Sequence, residues 1–304
     1  MRDSFIRALT RLAAEDPRVM LVGGDLGFGV LDDFIARHPD AYVNAGVAEQ
    51  NMTAVACGMA LEGARAYTYS IGNFPTLRCL EQLRNDVCYH GADVTVVAVG
   101  GGFSYGQLGM SHFATEDLAI LRALPEMAVV APSDPWQVEP LVRHLHERGG
   151  PCYLRLDKSR AGLPEGLVRF GKVRQARAGD DAVVFAAGGV LGEALAAADL
   201  LSTDGVSVRV VDVHTLKPFD AEGICAAASA CEYVLTLEEH SVIGGLGGAV
   251  AEACLEGGAG VRGFKRLGLA DCYPSTVGDQ TYLRARYGLD RHAVAAALRE
   301  MLRL

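Results

Sequence analysis

The sequence predicts an α/β protein of two consecutive domains, each built on a mainly parallel sheet. Three observations carry this reading. Short apolar runs alternate with helix-length stretches; the alternation breaks once, at AGLPEG (Ala161–Gly166), and then resumes; and 304 residues are enough for about two domains. Strands buried on both faces of a parallel sheet read as continuous apolar runs, because helices cover both sides. The domains are accordingly set at residues 1–165 and 166–304.

The elements follow in order. VMLVGG (Val19–Gly24) is a buried strand ending in glycines, and Ala45–Glu62 is a helix of small apolar residues. Ala66–Ser70 is a strand followed by a helix to about Tyr89. VTVVAVGGG (Val94–Gly102) is a buried strand running into a glycine turn. A short helical stretch begins at Leu118–Leu121, Met127–Asp134 is strand and turn, Pro135–Glu147 a helix, and Cys152–Leu156 a strand. Past the break, strands are expected at Asp181–Gly189, Val206–His214, Tyr233–Glu239 and Val261–Leu267. Helices are expected at Val190–Leu201, near Ala221–Ala230, at Gly247–Glu256 and at His292–Leu302.

Composition excludes several functions. Half of the residues are hydrophobic and 21% are charged, as in ordinary globular proteins. A net charge of −9 disfavours general binding to nucleic acid or an anionic membrane, although local Arg, Lys or helix N-termini still suit anionic substrates. No apolar run is long enough to span a bilayer, and the first stretch, MRDSFIRALTRLAAEDPRV, is charged throughout, unlike a signal peptide. The eight cysteines lie scattered without a Cys-x-x-Cys spacing, so neither zinc nor redox chemistry is signalled. The expectation is a reduced, cytoplasmic protein with no nucleic-acid or membrane partner.

Glu49 is the strongest chemical clue. It sits in NAGVAEQNMTAVACGMALEG, at the start of an otherwise apolar helix. Apolar surroundings disfavour the charged form of a carboxyl, which suits a group that hands over a proton near neutral pH. The same position also suits an ordinary acidic residue favoured by the helix macrodipole.

The run AGVAEQNM (Ala45–Met52) resembles the glutamate motif of thiamine-diphosphate enzymes of the transketolase group. Deoxyxylulose-phosphate synthase and the β subunits of 2-oxo-acid dehydrogenases share it. The resemblance implies that Glu49 hydrogen-bonds N1′ of the cofactor's aminopyrimidine and promotes the imino tautomer. That tautomer removes the thiazolium C2 proton, and the resulting carbanion attacks a ketose or 2-oxo-acid carbonyl. Further segments resemble the family in the same order. GGDLG (Gly23–Gly27) resembles its Ala-Asp-Leu turn and marks Asp25 as cofactor-binding. Tyr69–Val87 resembles the segment whose aromatic residue stacks on the pyrimidine, here Phe74, which otherwise reads as a core residue. Gly106–Gln137 resembles the most distinctive stretch of the fold, with Gly106, Gly109, Ser111, His112, Glu116 and Asp117 in the motif positions. His112 is thereby implied to handle substrate hydroxyl protons or a developing oxyanion, although an isolated histidine is more often structural. TLKPFD (Thr215–Asp220) and Leu237–Ala253 resemble the family's C-terminal domain, where His240 and Gly244–Gly248 are expected to be structural. The fold class implied is a pyrimidine-binding domain followed by a transketolase C-terminal-like domain.

The family's diphosphate and Mg²⁺ motif, GDG…N, has only a decoy here in Gly24-Asp25-Leu26 with Asn44. A partner chain is therefore expected to supply the N-terminal half and hold Mg²⁺, with thiamine diphosphate bound between chains of an α2β2 assembly. Departures from ordinary transketolases bear on the substrate. Leu108 replaces an aspartate that contacts an acceptor hydroxyl, and Gly100 and about Gly29 replace phosphate contacts. The phosphate-binding arginine falls at Lys158 or Arg160. The expected activity is transfer of a two-carbon ketol unit between sugars or sugar phosphates, with an altered acceptor. A 2-oxo-acid dehydrogenase or deoxyxylulose-phosphate-synthase-like β subunit and a non-catalytic regulatory subunit are the alternatives.

Overall fold

The computed structural model describes the whole chain, Met1–Leu304, as two α/β layers systems in contact. The first half contains strands β1 (Val19–Gly23), β2 (Tyr42–Asn44), β3 (Arg65–Ile71), β4 (Val94–Val99), β5 (Ala128–Val130) and β6 (Cys152–Leu156). Its helices are α1 (Arg2–Glu15), α2 (Asp32–Arg37), α3 (Glu49–Leu61), α4 (Leu80–Gln82), α5 (Asp117–Ala123) and α6 (Pro135–Arg148). The second half contains β7 (Arg174–Arg177), β8 (Ala182–Ala187), β9 (Val208–Asp212), β10 (Thr215–Lys217), β11 (Tyr233–Ser241) and β12 (Gly263–Leu269). Helices α7 (Leu191–Ser202), α8 (Ala221–Cys231), α9 (Leu246–Glu256), α10 (Gln280–Arg286) and α11 (Arg291–Leu302) complete it.

Seven strands form the first sheet in the order β10-β5-β6-β4-β3-β1-β2, and five form the second in the order β12-β11-β8-β9-β7. All pairings are parallel except β10 on β5 and β7 on β9. The centre of the first sheet is β4, every residue of which is buried, and β8 plays the same part in the second. Each fully buried Val or Leu in such a strand contributes roughly 1.5–3 kcal/mol of transfer free energy. β10 comes from the C-terminal half of the chain yet closes the edge of the first sheet, and it ties the two layers together. One apolar cluster also runs from Val96 and Leu118 in the first half to Phe185 and Val250 in the second.

Two expectations need correction. The helix read as Ala45–Glu62 begins at Glu49, four residues later. Gly46 adopts a positive φ of 74°, its N–H donates to the Asn44 side chain at 2.9 Å, and Ala48 N–H donates to the Gly46 carbonyl, so this stretch is a turn. The helix expected through Tyr89 is not uniform: it passes from a 3₁₀ turn (Leu77–Cys79) through α4 to a π-helical turn (Leu83–Cys88). By contrast, α6 starts where its caps dictate. Asp134 and Gln137 form a reciprocal capping box, and Pro135 fills the first helical position. All eight cysteines are free, six of them buried. No helix is long and apolar enough to cross a membrane.

Candidate active site

In a parallel sheet, ligand sites form beyond the carboxyl ends of the strands, where loops leave for the covering helices. Those ends supply nearly every functional residue expected from the sequence. β1 leads into Gly24 and Asp25, β2 into the turn before Glu49, β3 into Phe74, β4 into the loop bearing Leu108 and His112, and β6 into Lys158.

Glu49 is the first residue of α3, and only 3% of its side chain is exposed. Its Oε2 accepts a bond from Arg78 Nη1 at 2.6 Å, so a cation complements the apolar setting that the sequence suggested. Arg78 also lies over the Phe74 ring, 4.4 Å from its centroid. Phe74 meets His112 edge to face at 5.1 Å, and the His112 ring lies 6.5 Å from that of Tyr105. Lys158 Nζ stands 3.6 Å from the Tyr105 ring centroid. The side chains Glu49, Arg78, Phe74, His112, Tyr105 and Lys158 thus form one continuous line along the strand ends.

Burial alone lowers the His112 pKa below the ordinary 6.5, so the neutral ring is favoured at neutral pH. Its Nδ1 lies 3.0 Å from Ser111 Oγ. Lys158 is also pushed down, chiefly by burial and further by the charge of Arg2. Beyond His112 the line opens into a cleft of about 580 Å³, lined by Leu108, Lys158, Asp279 and Thr281 among others. Leu108 is 55% exposed there.

Other expected residues take different places. Asp25 is exposed and sits at φ 56°, and its carboxylate accepts from the Asn44 amide at 2.9 Å. Asp25 and Asn44 therefore satisfy each other at the turn before α3. Arg160 is exposed and does not line the cleft, whereas Lys158 does. His240 is buried, and its Nε2 accepts from Ala119 N–H at 3.3 Å, a structural contact. Arg78 and Tyr105 were not singled out from the sequence. The four-residue spacing from Phe74 to Arg78 was the available signal for the first; nothing local marks the second.

Around Glu49, several polar atoms keep spare hydrogen-bonding capacity. A Cβ added to Gly24 would lie 3.5 Å from Glu49 Cγ and 3.6 Å from Ser70 Oγ, so both side chains border the same small space. Ser70 Oγ is buried without a partner, and so is Asn73 Oδ1, next to Phe74. A buried carboxyl, an aromatic face and unpaired polar atoms are a donor and acceptor set that fits an aminopyrimidine ring.

The chain is similar to known proteins over nearly its whole length. The family model of the transketolase pyrimidine-binding domain matches residues 1–163, and that of the transketolase C-terminal domain matches residues 171–294. A 6-deoxy-6-sulfo-D-fructose transketolase subunit from Clostridium sp. (strain MSTE9) is 33% identical over 99% of this chain and 94% of its own length. A 1-deoxy-D-xylulose-5-phosphate synthase from Geobacter sulfurreducens is 35% identical over 98% of this chain, which spans 48% of that enzyme. Among solved structures, a split-gene transketolase described as an inactive β4 tetramer superposes with a TM-score of 0.87 and 35% identity, covering 100% of this chain and 98% of the other. On these matches the chain belongs to the transketolase family and carries its pyrimidine-binding and C-terminal domains.

Proposed function

We propose that this chain is the small subunit of a cytoplasmic, thiamine-diphosphate-dependent transketolase that moves a two-carbon ketol unit from a ketose to an aldose-type acceptor. The observation that carries the reading is the buried Glu49 carboxyl, joined through Arg78 to the Phe74 ring and so to His112. When bound, thiamine diphosphate would supply a nucleophilic carbon for ketol transfer. Glu49 would hold a proton toward the N1′ atom of the aminopyrimidine, and Phe74 would pack against that ring. Asp25 and its partner Asn44 shape the turn that delivers Glu49. His112, kept neutral by burial, accepts and returns protons of substrate hydroxyls.

The N-terminal-half subunit, in this reading, holds Mg²⁺ and the diphosphate, and two copies of each chain form an α2β2 enzyme. The relative named as a transketolase subunit supports a two-chain enzyme, as does the description of the β4 tetramer as inactive. The division of the chain at 165/166 leaves the pyrimidine-binding part on the N-terminal side. Lys158, unpaired with any carboxylate, receives the anionic group of a sugar phosphate or similar acid, and Leu108 removes a polar contact from the acceptor side. A deoxyxylulose-phosphate-synthase-like reaction with a pyruvate-type donor is the second reading, favoured by the 35% identity to such an enzyme. The test is to purify the chain with its partner and compare ketose phosphates, hydroxypyruvate and pyruvate as donors. Ketol transfer that requires both chains and collapses in Glu49→Gln supports the first reading. Turnover confined to pyruvate replaces it with the second.

A further inference from the structure

The loop that carries His112 is gripped at its base by the C-terminal half of the chain. Gly102 and Ala114 close the loop with a reciprocal pair of backbone bonds, Gly102 N–H to the Ala114 carbonyl at 2.9 Å and Ala114 N–H to the Gly102 carbonyl at 3.1 Å. Just inside that closure stand Phe103 and Phe113, both fully buried and packed edge to face at 5.2 Å. They belong to the apolar cluster of the second half, with Leu283 and Leu289, and Phe103 stacks on Tyr287 at 5.4 Å.

The end of β11 supplies the polar part of the grip. Glu239 Oε1 accepts the Phe103 N–H at 2.5 Å, across 136 residues of sequence. A side chain on Gly102 would collide with the same carboxylate. Glu239 is held in turn by Arg284 and by Gln280 Nε2 at 2.8 Å, and Gln280 also donates to Asp157 at 2.9 Å. On the far side of the loop, Ser241 N–H donates to the Thr115 carbonyl at 2.7 Å. Three successive residues of β11 thus hold both flanks of the loop, with His240 bonded to Ala119 as the third. The Phe103 N–H is buried, so leaving it without an acceptor is costly, and the loop would move to find one.

We infer that Glu239 is a positioning residue: through Phe103 N–H it sets the register of the Gly102–Ala114 loop and hence where His112 meets the substrate. This gives the C-terminal domain a part in the reaction without touching substrate or cofactor. It rests on the reading of His112 given above. A displacement of the order of 1 Å in a reacting group is enough to lower turnover by about 10²-fold.

The experiment uses the enzyme reconstituted from both chains with thiamine diphosphate and Mg²⁺. Glu239→Ala is expected to lower kcat by roughly 10–10²-fold with cofactor stoichiometry unchanged. Amide exchange in residues 103–113 is expected to rise. Glu239→Gln, which keeps an oxygen for Phe103 N–H, is expected to stay within about threefold of wild type. The deciding step is a cycle with His112→Ala: in that background Glu239→Ala should cost nothing further, because the group it positions is gone. Equal losses in both backgrounds, or unchanged kcat, overturn the inference while leaving the reading of Glu49 and His112 standing. Full activity of His112→Ala overturns both. If Glu239→Ala fails to assemble, Gln280→Leu, which loosens Glu239 without unpairing Arg284, enters the same cycle and is judged by the same two outcomes.

Discussion

Two arginine–carboxylate regions of this molecule are built from the same residue types and end in opposite states. At the junction of the two halves, Arg155 and Asp117 are 3% and 1% exposed, Arg284 and Glu239 are 7% and 2% exposed, and every carboxylate oxygen of Asp117, Asp157 and Glu239 has a partner. Along the candidate site, Arg78 is 45% exposed, only one oxygen of Glu49 is bonded, and Ser70 Oγ and Asn73 Oδ1 are buried without partners. A fully satisfied polar network fixes one arrangement of the backbone. A partly satisfied one pays for buried polar atoms that a ligand can later engage. On the proposed function, the unpartnered atoms beside Glu49 are those a bound ligand would engage.

That contrast can be broken or sharpened by substitution. Glu49→Gln should have the largest effect, a fall in kcat of about 10²–10⁴-fold in the two-chain enzyme, with assembly by gel filtration unchanged. Retained activity would remove the centre of the site. The arginines should then part company. Arg155→Met, which strands Asp117, should lower unfolding free energy by about 3–5 kcal/mol in a denaturant titration. Arg78→Met removes a guanidinium that is half in solvent but leaves the buried Glu49 carboxyl without its one partner, and should cost less than Arg155→Met, about 1–3 kcal/mol. Equal costs would show that the two regions do not differ in the way described.

His112→Asn should lower kcat by about 10²-fold and change the pH profile. Because burial lowers the histidine pKa, the neutral base persists below pH 6.5 and is lost only on further acidification. The acid limb of kcat/KM should therefore fall below the ordinary histidine value in wild type and vanish in the variant. A limb at or above 6.5 would contradict the burial argument. The smallest change is expected from Lys158→Met: about a tenfold rise in KM for an anionic sugar, and none for its neutral counterpart. Equal rises for both would detach Lys158 from charge recognition.

Much of this was legible in the residues themselves. The central strands of both sheets were readable because a strand buried on both faces is mostly apolar, as β8 is throughout, β4 is but for Thr95 and β6 is but for the buried Arg155. The three short strands β2, β7 and β10 were not, since edge strands are brief and partly polar and acquire their pairing from neighbours. The start of α3 was read four residues early because Ala45–Ala48 has no capping side chain to mark the boundary, and the turn depends on Asn44 reaching Gly46. Glu49, Phe74 and His112 stood out through their motifs, whereas Lys158 and Arg160 were equal choices; of the two, Lys158 lines the cleft.

The sequence by itself determined the order of elements, the family and the side chains available for chemistry, because apolar period, glycine turns and motif spacing are local properties of the chain. Only the tertiary structure decided that Arg78 bonds Glu49, that Tyr105 lies beneath Lys158, that β10 crosses to the first sheet and that Glu239 holds Phe103. Those contacts join positions far apart along the chain, and hydrogen-bond and packing geometry at such separations is set by how whole layers fit together, which no local pattern encodes.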